Sequence, residues 1–197
     1  MAVYRFDHVY AASGWVSPGY ISVDDDGSID GIGGSSPDTG VENIGGIAVP
    51  GIANLHSHAF QRAMAGLSEF RTDAAEDSFW TWRDLMYRFV GRITPDDLES
   101  IAAQLYVEML KSGYTAVGEF QYLHHDRDGS PFGDPAEMTL RTLAAAREVG
   151  IGATCLPVLY QYSGFGEQDP GEGQRRFIND ADGFLRIYEA VAAETEN

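Results

Sequence analysis

Cysteine, lysine and positive charge are scarce in this chain of 197 residues. Cys155 is the single cysteine, so no disulfide can form within the chain, and a reducing cytoplasm is the expected location. Lys111 is the single lysine, and 13 Lys+Arg against 30 Asp+Glu give a formal net charge of −17. Contacts to phosphate need Lys and Arg, so we expect this chain to bind neither nucleic acids nor anionic membranes.

Long hydrophobic runs are also missing. No apolar stretch approaches the roughly 20 residues that span a bilayer. The first residues, MAVYRFDHVYAASG, do not place an apolar region after a basic one, so we expect no signal peptide. At 44% hydrophobic and 22% charged residues, the composition is that of an ordinary globular protein.

Residues 1–50 are rich in short β-favouring runs separated by glycine-containing turns, which predicts a small β unit. The segment Asp24–Gly40, rich in Gly, Ser and Asp, is interpreted as turns. The predicted strands are Val3–Phe6, Trp15–Val16, Tyr20–Val23 and Ile44–Val49.

After residue 60 the pattern alternates between helix and strand, which is typical of parallel α/β units. The predicted helices are Phe60–Leu67, Ser78–Arg88, Thr94–Leu110, one opened by Asp134-Pro135 and closed by Gly150, and Asp180–Glu194; the predicted strands are Tyr114–Phe120 and Ile151–Tyr160. Thr94, Pro95 and Asp97 form a capping-box pattern at the start of the longest helix.

An open doubly wound sheet and a (β/α) barrel both fit this alternation. No GxGxxG loop follows any of the strands, which weakens a dinucleotide-binding interpretation. A (β/α)8 barrel takes about 250 residues, but only 197 − 50 = 147 residues follow the β unit. A barrel would therefore stop after about three of its eight units.

His56 and His58 are the first candidates for chemistry. Residues i and i+2 of a strand point to the same face, so two imidazoles can converge on one metal ion. They follow an apolar run, which places them at the carboxyl end of a strand, where barrel enzymes keep their active sites. The alternative is a pair of histidines in a surface loop.

Gln61, Arg83, Glu119 and Tyr122 lie near the same predicted strand ends. Gln61 and Tyr122 suit hydrogen bonding to a polar substrate, and Arg83, between tryptophans, suits a carboxylate. An exposed glutamine and a packing helix with an exposed arginine are the alternatives. Glu119 is either an acid/base group or the buried partner of a cation.

Further candidates follow the second and third strands. Adjacent residues point to opposite sides, so at most one of His124 and His125 can join a metal site. Cys155 is interpreted as a packed strand residue because no histidine lies beside it in sequence. Gly164–Arg176 is either a functional loop or a long solvated connection.

The segment Pro50–His58 (PGIANLHSH) resembles the opening strand of the amidohydrolase superfamily. A narrower resemblance, to the formimidoylglutamate deiminases, covers the chain from residue 50 onward. It is carried by HSHAFQRAMAGL, SFWTWRDLMY, GYTAVGEFQYLHH and the segment Leu156–Ile178 with YSGFG and GQRRFIN.

This resemblance implies an incomplete (β/α)8 TIM-like barrel over residues 51–197, preceded by residues 1–50 as part of a composite β-sandwich. It implies one Zn²⁺ ion with His56 and His58 as ligands, and Gln61, Arg83 and Tyr122 as substrate-binding residues. The histidine pair by itself also suits another divalent metal. The implied reaction is hydrolysis of N-formimino-L-glutamate to N-formyl-L-glutamate and ammonia in histidine degradation, by a cytoplasmic protein that forms a homodimer when complete.

In this family the remaining metal ligands and the acid/base residue lie in the second half of the barrel. We therefore expect the 197-residue chain alone to be inactive, with no catalytic residue of its own. The alternatives are another amidohydrolase deaminase, similar to guanine deaminase, and a non-catalytic remnant that retains a partial metal site. A ring nucleobase has no carboxylates for Arg83, which argues against the first of these.

Overall fold

A computed structural model describes residues 1–35, 40–68 and 79–195, without the side chain of Trp80. The chain divides into two compact units, Met1–Gly51 and Ile52–Asn197. None of the helices in these described ranges combines the length and apolar character that crossing a bilayer requires. The expectations for Ser78 and for the Trp80 side chain lie outside the described residues.

The first unit consists of two small sheets with strand orders β5-β4-β1-β6 and β3-β2-β7. Their strands are β1 (Ala2–Phe6), β2 (His8–Ala11), β3 (Gly14–Val16), β4 (Gly19–Val23), β5 (Ile29–Gly33), β6 (Val41–Asn43) and β7 (Ile47–Ala48). Val3 and Val9 are its buried hydrophobic residues. Val9 packs so closely over Gly19 that a Cβ there would overlap its side chain.

Two predictions for this unit are wrong. The strand predicted over Ile44–Val49 is broken, because Gly45 and Gly46 adopt positive φ angles of 70° and 67° that turn the chain between β6 and β7. The segment Asp24–Gly40, interpreted as turns, contains β5, which pairs with β4 in antiparallel register.

The second unit is built on three parallel strands in the order β10-β9-β8. Its elements are β8 (Ile52–Ser57), a 3₁₀-helix (Ala59–Met64), α1 (Phe79–Val90), α2 (Pro95–Lys111), β9 (Tyr114–Gln121), α3 (Glu137–Val149), β10 (Gly152–Pro157), a short 3₁₀-helix (Glu172–Gln174) and α4 (Ala181–Thr195). The predicted alternation of parallel strands and helices is confirmed.

Local signals explain the ends of the helices. Thr94 accepts a hydrogen bond from the Asp97 amide, and the Asp97 carboxylate accepts one from the Thr94 amide, so the predicted capping box is confirmed. Gly150 ends α3 in the left-handed conformation, with φ 82°, as expected of a C-terminal glycine. Helix α3 begins at Glu137, slightly later than predicted, because Asp134 instead accepts a hydrogen bond from the Ala136 amide in the preceding turn.

Strand β10 is shorter than predicted. It ends at Pro157, and the Val158 amide still donates to the Gln121 carbonyl oxygen of β9 at 2.9 Å. Tyr160, expected in the same strand, instead forms an isolated parallel bridge with Ile178. Cys155 packs against the hydrophobic cluster between α3 and α4, which confirms it as a packed strand residue. Burial raises the pKa of its thiol to about 12.

Alternate side chains of strand β9 face the helices. Val117 joins a buried cluster with α2 and α3 residues, and Glu119 and Gln121 are buried on the same side. Gly118 and Phe120, which alternate with them, face the opposite side and are half-buried. This second face carries the candidate site.

Candidate functional site

His56 and His58 converge at the end of β8. The two Nε2 atoms lie 3.1 Å apart, and the rings are nearly perpendicular. Two ligands of a tetrahedral zinc ion, each 2.0–2.1 Å from the metal, lie about 3.3 Å apart. The separation of the two nitrogens therefore fits a pair of ligands to one ion.

A β-bulge brings the pair together. Asn54 is paired with Val117 and Ser57 with Glu119, so β8 has one more residue than β9 between these two pairings. The Asn54 side chain stabilises the bulge, because its Oδ1 accepts a hydrogen bond from the His56 amide. Gly118 gives the bulge room, since a Cβ there would lie 3.3 Å from the Leu55 carbonyl oxygen.

The carbonyl of Phe120 sets the tautomer of His58. The His58 Nδ1 lies 2.9 Å from this oxygen. Because a carbonyl oxygen only accepts, Nδ1 carries the hydrogen, and the neutral ring keeps a lone pair on Nε2. Burial lowers the pKa of His58, which favours the neutral form that a metal requires.

Phe120 also forms the apolar wall of the site. Its ring centroid lies 4.7 Å from that of His56 and 5.9 Å from that of His58. Among the residues described, no group of three or more His, Cys, Asp and Glu side chains is placed to hold a metal ion. The histidine pair thus fits part of a metal site, namely two of the three protein ligands usual for catalytic zinc.

Gln61 and Tyr122 lie directly beside the histidines. The Gln61 Nε2 donates to the Tyr122 hydroxyl at 3.0 Å, and the Tyr122 ring lies 4.9 Å from the His58 ring. Burial raises the pKa of Tyr122 to about 12, so the phenol stays protonated at neutral pH. The structure therefore brings two of the three predicted substrate-binding residues together.

Arg83 contacts the same aromatic cluster through Tyr87. Its guanidinium carbon is 5.6 Å from the centre of the Tyr87 ring, one turn along α1. Tyr87 contacts Phe177, and Phe177 contacts Tyr122 with ring centroids 4.9 Å apart. Arg83 is half-buried, so it is not the fully exposed helix residue that the alternative interpretation expected.

Glu119, which the sequence left open, faces away from the histidines. It is 1% exposed. Its Oε1 accepts a hydrogen bond from the Ala59 amide at 2.6 Å, and its Oε2 accepts one from the Tyr106 hydroxyl at 3.2 Å. Both of these donors are neutral groups. Burial raises the pKa of Glu119, and these hydrogen bonds oppose the shift.

His124 and His125 link strand ends. The His124 Nε2 lies 3.1 Å from the Val158 carbonyl oxygen, and the His125 Nε2 lies 2.9 Å from that of Ile178. His124 is 2% exposed, and burial lowers its pKa to about 4. His124 therefore joins the end of β9 to the end of β10, and His125 joins it to the segment before α4.

Arg176 is a structural residue that the sequence did not single out. Its side chain is 1% exposed and donates to the carbonyl oxygens of His125, Val90 and Ile93. Burial lowers its pKa to about 10. The end of the segment Gly164–Arg176 is therefore anchored in the core. Its two consecutive arginines were a visible signal, but sequence alone does not show which of them is buried.

Comparison with known proteins agrees with this arrangement. A model of the amidohydrolase family matches residues 47–194, which include both histidines and all three parallel strands. The chain belongs to the amidohydrolase family.

A formimidoylglutamate deiminase from Pseudomonas aeruginosa is 52% identical to this family member over 183 residues. The match covers 93% of this chain and 40% of that enzyme. The chain thus spans about two fifths of the length of the curated relative.

Solved structures show the same fold. An amidohydrolase from Brucella melitensis superposes with a TM-score of 0.90 at 44% identity, over 100% of this chain and 43% of that one. An atrazine chlorohydrolase from Arthrobacter aurescens, complexed with zinc, superposes with a TM-score of 0.72 at 20% identity, over 98% of this chain and 43% of that one. The second likeness concerns the fold alone.

Proposed function

We propose that this chain supplies the first part of a zinc-dependent deiminase that hydrolyses N-formimino-L-glutamate to N-formyl-L-glutamate and ammonia. The observation that carries the proposal is the convergent pair His56 and His58, beside the bonded pair Gln61 and Tyr122. The 52% identical relative, itself named a formimidoylglutamate deiminase, supports the choice of substrate.

His56 and His58 are the residues that would hold the metal. A zinc ion bound there would supply a water acidic enough to ionise near pH 7. The protein's own contribution is to keep His58 neutral and oriented, which the Phe120 carbonyl does through Nδ1. The Phe120 ring adds an apolar surface against both histidine rings.

Gln61, Tyr122 and Arg83 would bind the glutamate part of the substrate. Tyr122 and Gln61 offer hydrogen-bond donors next to the histidines. Arg83 offers a planar guanidinium, the group best matched to a carboxylate. It would approach the substrate from α1, across the aromatic cluster that Tyr122 and Phe177 share.

The proposal also assigns the architecture. Strands β8, β9 and β10 would be the first three strands of a (β/α)8 barrel, and residues 1–50 would be part of a composite β-sandwich. The remaining metal ligands and the acid/base residue would come from later strands. The complete protein would be a cytoplasmic homodimer that acts on a small-molecule substrate.

Ammonia release tests the proposal. The protein is purified as its source makes it, its intact mass is recorded, and it is assayed with N-formimino-L-glutamate and with guanine. We expect a mass well above the 21.5 kDa of these residues, ammonia from the first substrate only, loss of activity with a chelator and recovery with zinc. The 197-residue chain alone should release none. Ammonia from guanine, or none from either substrate, would contradict the proposal.

Arg83→Ala tests the substrate assignment. Loss of the carboxylate partner should raise KM for N-formimino-L-glutamate at least tenfold. Arg88→Ala, which removes an exposed arginine from the same helix, should leave KM within twofold. Equal effects of the two substitutions would remove Arg83 from the binding site.

A further inference from the structure

Glu119 contacts the chain directly after His58, although it lies on the opposite face of the sheet. Its Oε1 is 2.6 Å from the amide nitrogen of Ala59, the residue after His58. One buried carboxylate therefore holds the backbone that follows the histidine.

The next residue of β9 completes the arrangement from the other face. The Phe120 carbonyl accepts the His58 Nδ1 hydrogen, so Phe120 fixes the ring while Glu119 fixes the backbone. Ser57 and Glu119 are also paired directly in the sheet. The position of His58 is thus determined by two successive residues of one strand.

Helix α2 holds the carboxylate in turn. The Tyr106 hydroxyl donates to Oε2, and Tyr106 is itself fully buried in the cluster between β9, α2 and α3. A buried carboxylate is costly unless its lone pairs are used. Here the Ala59 amide and the Tyr106 hydroxyl use one oxygen each, and they also restrict the side chain to one position.

We propose that Glu119 is a positioning residue for the metal site: by holding the Ala59 amide, its carboxylate keeps the His58 Nε2 directed at the His56 Nε2. The inference rests on the proposed function, because it requires that the histidine pair binds a metal. Residues that orient metal ligands typically contribute about 10–100-fold to metal affinity.

Metal affinity tests the inference. The protein as its source makes it is stripped of metal and titrated with Zn²⁺, and the visible absorption of Co²⁺ reports the coordination geometry. Glu119→Gln keeps the shape of the side chain but replaces an acceptor oxygen with an NH₂ group. We expect the Zn²⁺ affinity to fall at least tenfold and the Co²⁺ spectrum to change.

Two further variants test whether the effect comes from the position of the Glu119 carboxylate, from its charge, or from a general loosening of the 3₁₀-helix. Glu119→Asp keeps the charge but shortens the side chain by one CH₂ group, so it should also weaken Zn²⁺ at least tenfold. Glu108→Gln disrupts the Arg62–Glu108 pair, with bonds of 2.8 Å, at the other end of the same 3₁₀-helix. It should leave the affinity within twofold, because this pair is partly exposed.

Several results would overturn the inference. The first is a wild-type Zn²⁺ affinity in Glu119→Gln. The second is a wild-type affinity in Glu119→Asp alone, which would mean that the charge of the carboxylate matters and its position does not. The third is an equal loss of affinity in Glu108→Gln, which would mean that any loosening of the 3₁₀-helix weakens the site. If the Glu119 variants do not fold, Tyr106→Phe removes one donor and should weaken Zn²⁺ about threefold; unchanged affinity would then overturn it. A wild-type protein that binds no Zn²⁺ would refute the proposed function first.

Discussion

Strand β9 has one face that the chain covers and one that it leaves open. On the helix side, Val117 and Glu119 are buried against α2 and the 3₁₀-helix that follows β8. On the other side, Phe120 is half-buried and lies against the histidine pair. The helix side therefore belongs to the buried core, and the open side provides the groups suited to chemistry.

The neighbouring strands extend the open side. Leu156 of β10, paired with Phe120, is exposed, and Leu55 of β8 is 79% exposed. Exposed apolar side chains on a sheet usually mark a surface that another structure covers. Later strands of the proposed barrel would cover these residues. Exposed apolar side chains that would promote aggregation of the isolated chain would then line the interior of the complete barrel.

The largest expected effect is on the covered face. Val117→Asp places a carboxylate among apolar residues of α2 and α3 and should lower the free energy of unfolding by about 4 kcal/mol or more. Denaturant unfolding measures this loss. Val107→Asp, at an exposed position of α2, should change it by less than about 0.5 kcal/mol. Similar losses for both would mean that this face is not the core.

On the open face, a substitution should change metal affinity and leave the free energy of unfolding nearly unchanged. His58→Ala should lower Zn²⁺ affinity at least 100-fold, because it removes one of the ligands, yet change the unfolding free energy of the metal-free protein by less than about 1 kcal/mol. His8→Ala, at an exposed histidine of the first unit, is the control and should leave the affinity unchanged. Isothermal titration calorimetry measures the Zn²⁺ affinity of both variants.

His124 gives the third prediction, a dependence of stability on pH. Its pKa is about 4 in the folded protein against 6.5 as a model value, so the unfolded chain binds a proton first as the pH falls. Stability should be fully present above about pH 6.5 and should decrease by about 3 kcal/mol as the pH falls to about 4. His124→Gln should flatten this slope in denaturant titrations at several pH values. An unchanged slope would exclude His124 as its source.

The smallest effect concerns the helix that covers β9. Thr94→Ala removes the N-cap of α2 and should cost about 1 kcal/mol of unfolding free energy. Zn²⁺ affinity should not change, because the cap lies at the end of the helix. Ser100→Ala, at an exposed position of the same helix, should cost less than about 0.5 kcal/mol in the same denaturant measurement.

Much of the fold was predictable because its signals are local. The capping box at Thr94, the glycine that ends α3 and the alternation of strands and helices each depend on a few neighbouring residues. The strand-end position of His56 and His58 followed from the apolar run before them. The same local reasoning missed the break at Gly45 and Gly46, since consecutive β-favouring residues around glycines do not show where the chain turns.

The rest of the site depends on partners far apart in sequence. The bulge at Asn54 exists only against β9, and the Phe120 carbonyl that sets the His58 tautomer is 62 positions away. Glu119 could be assigned only after its donors were known, and a single glutamate in a strand does not reveal them. Pairwise geometry across the sheet, rather than residue type, decides these roles.

Gly118 limits the substitutions that the chain can accept beside the histidine bulge. A single methyl group at this position would lie 3.3 Å from the Leu55 carbonyl oxygen, closer than ordinary van der Waals contact. An alanine would push β8 away by a few tenths of an ångström, and a larger side chain would separate the two strands at the point where His56 is held. Position 118 therefore restricts the variants of this sequence beside the histidine bulge, although it carries no chemistry of its own.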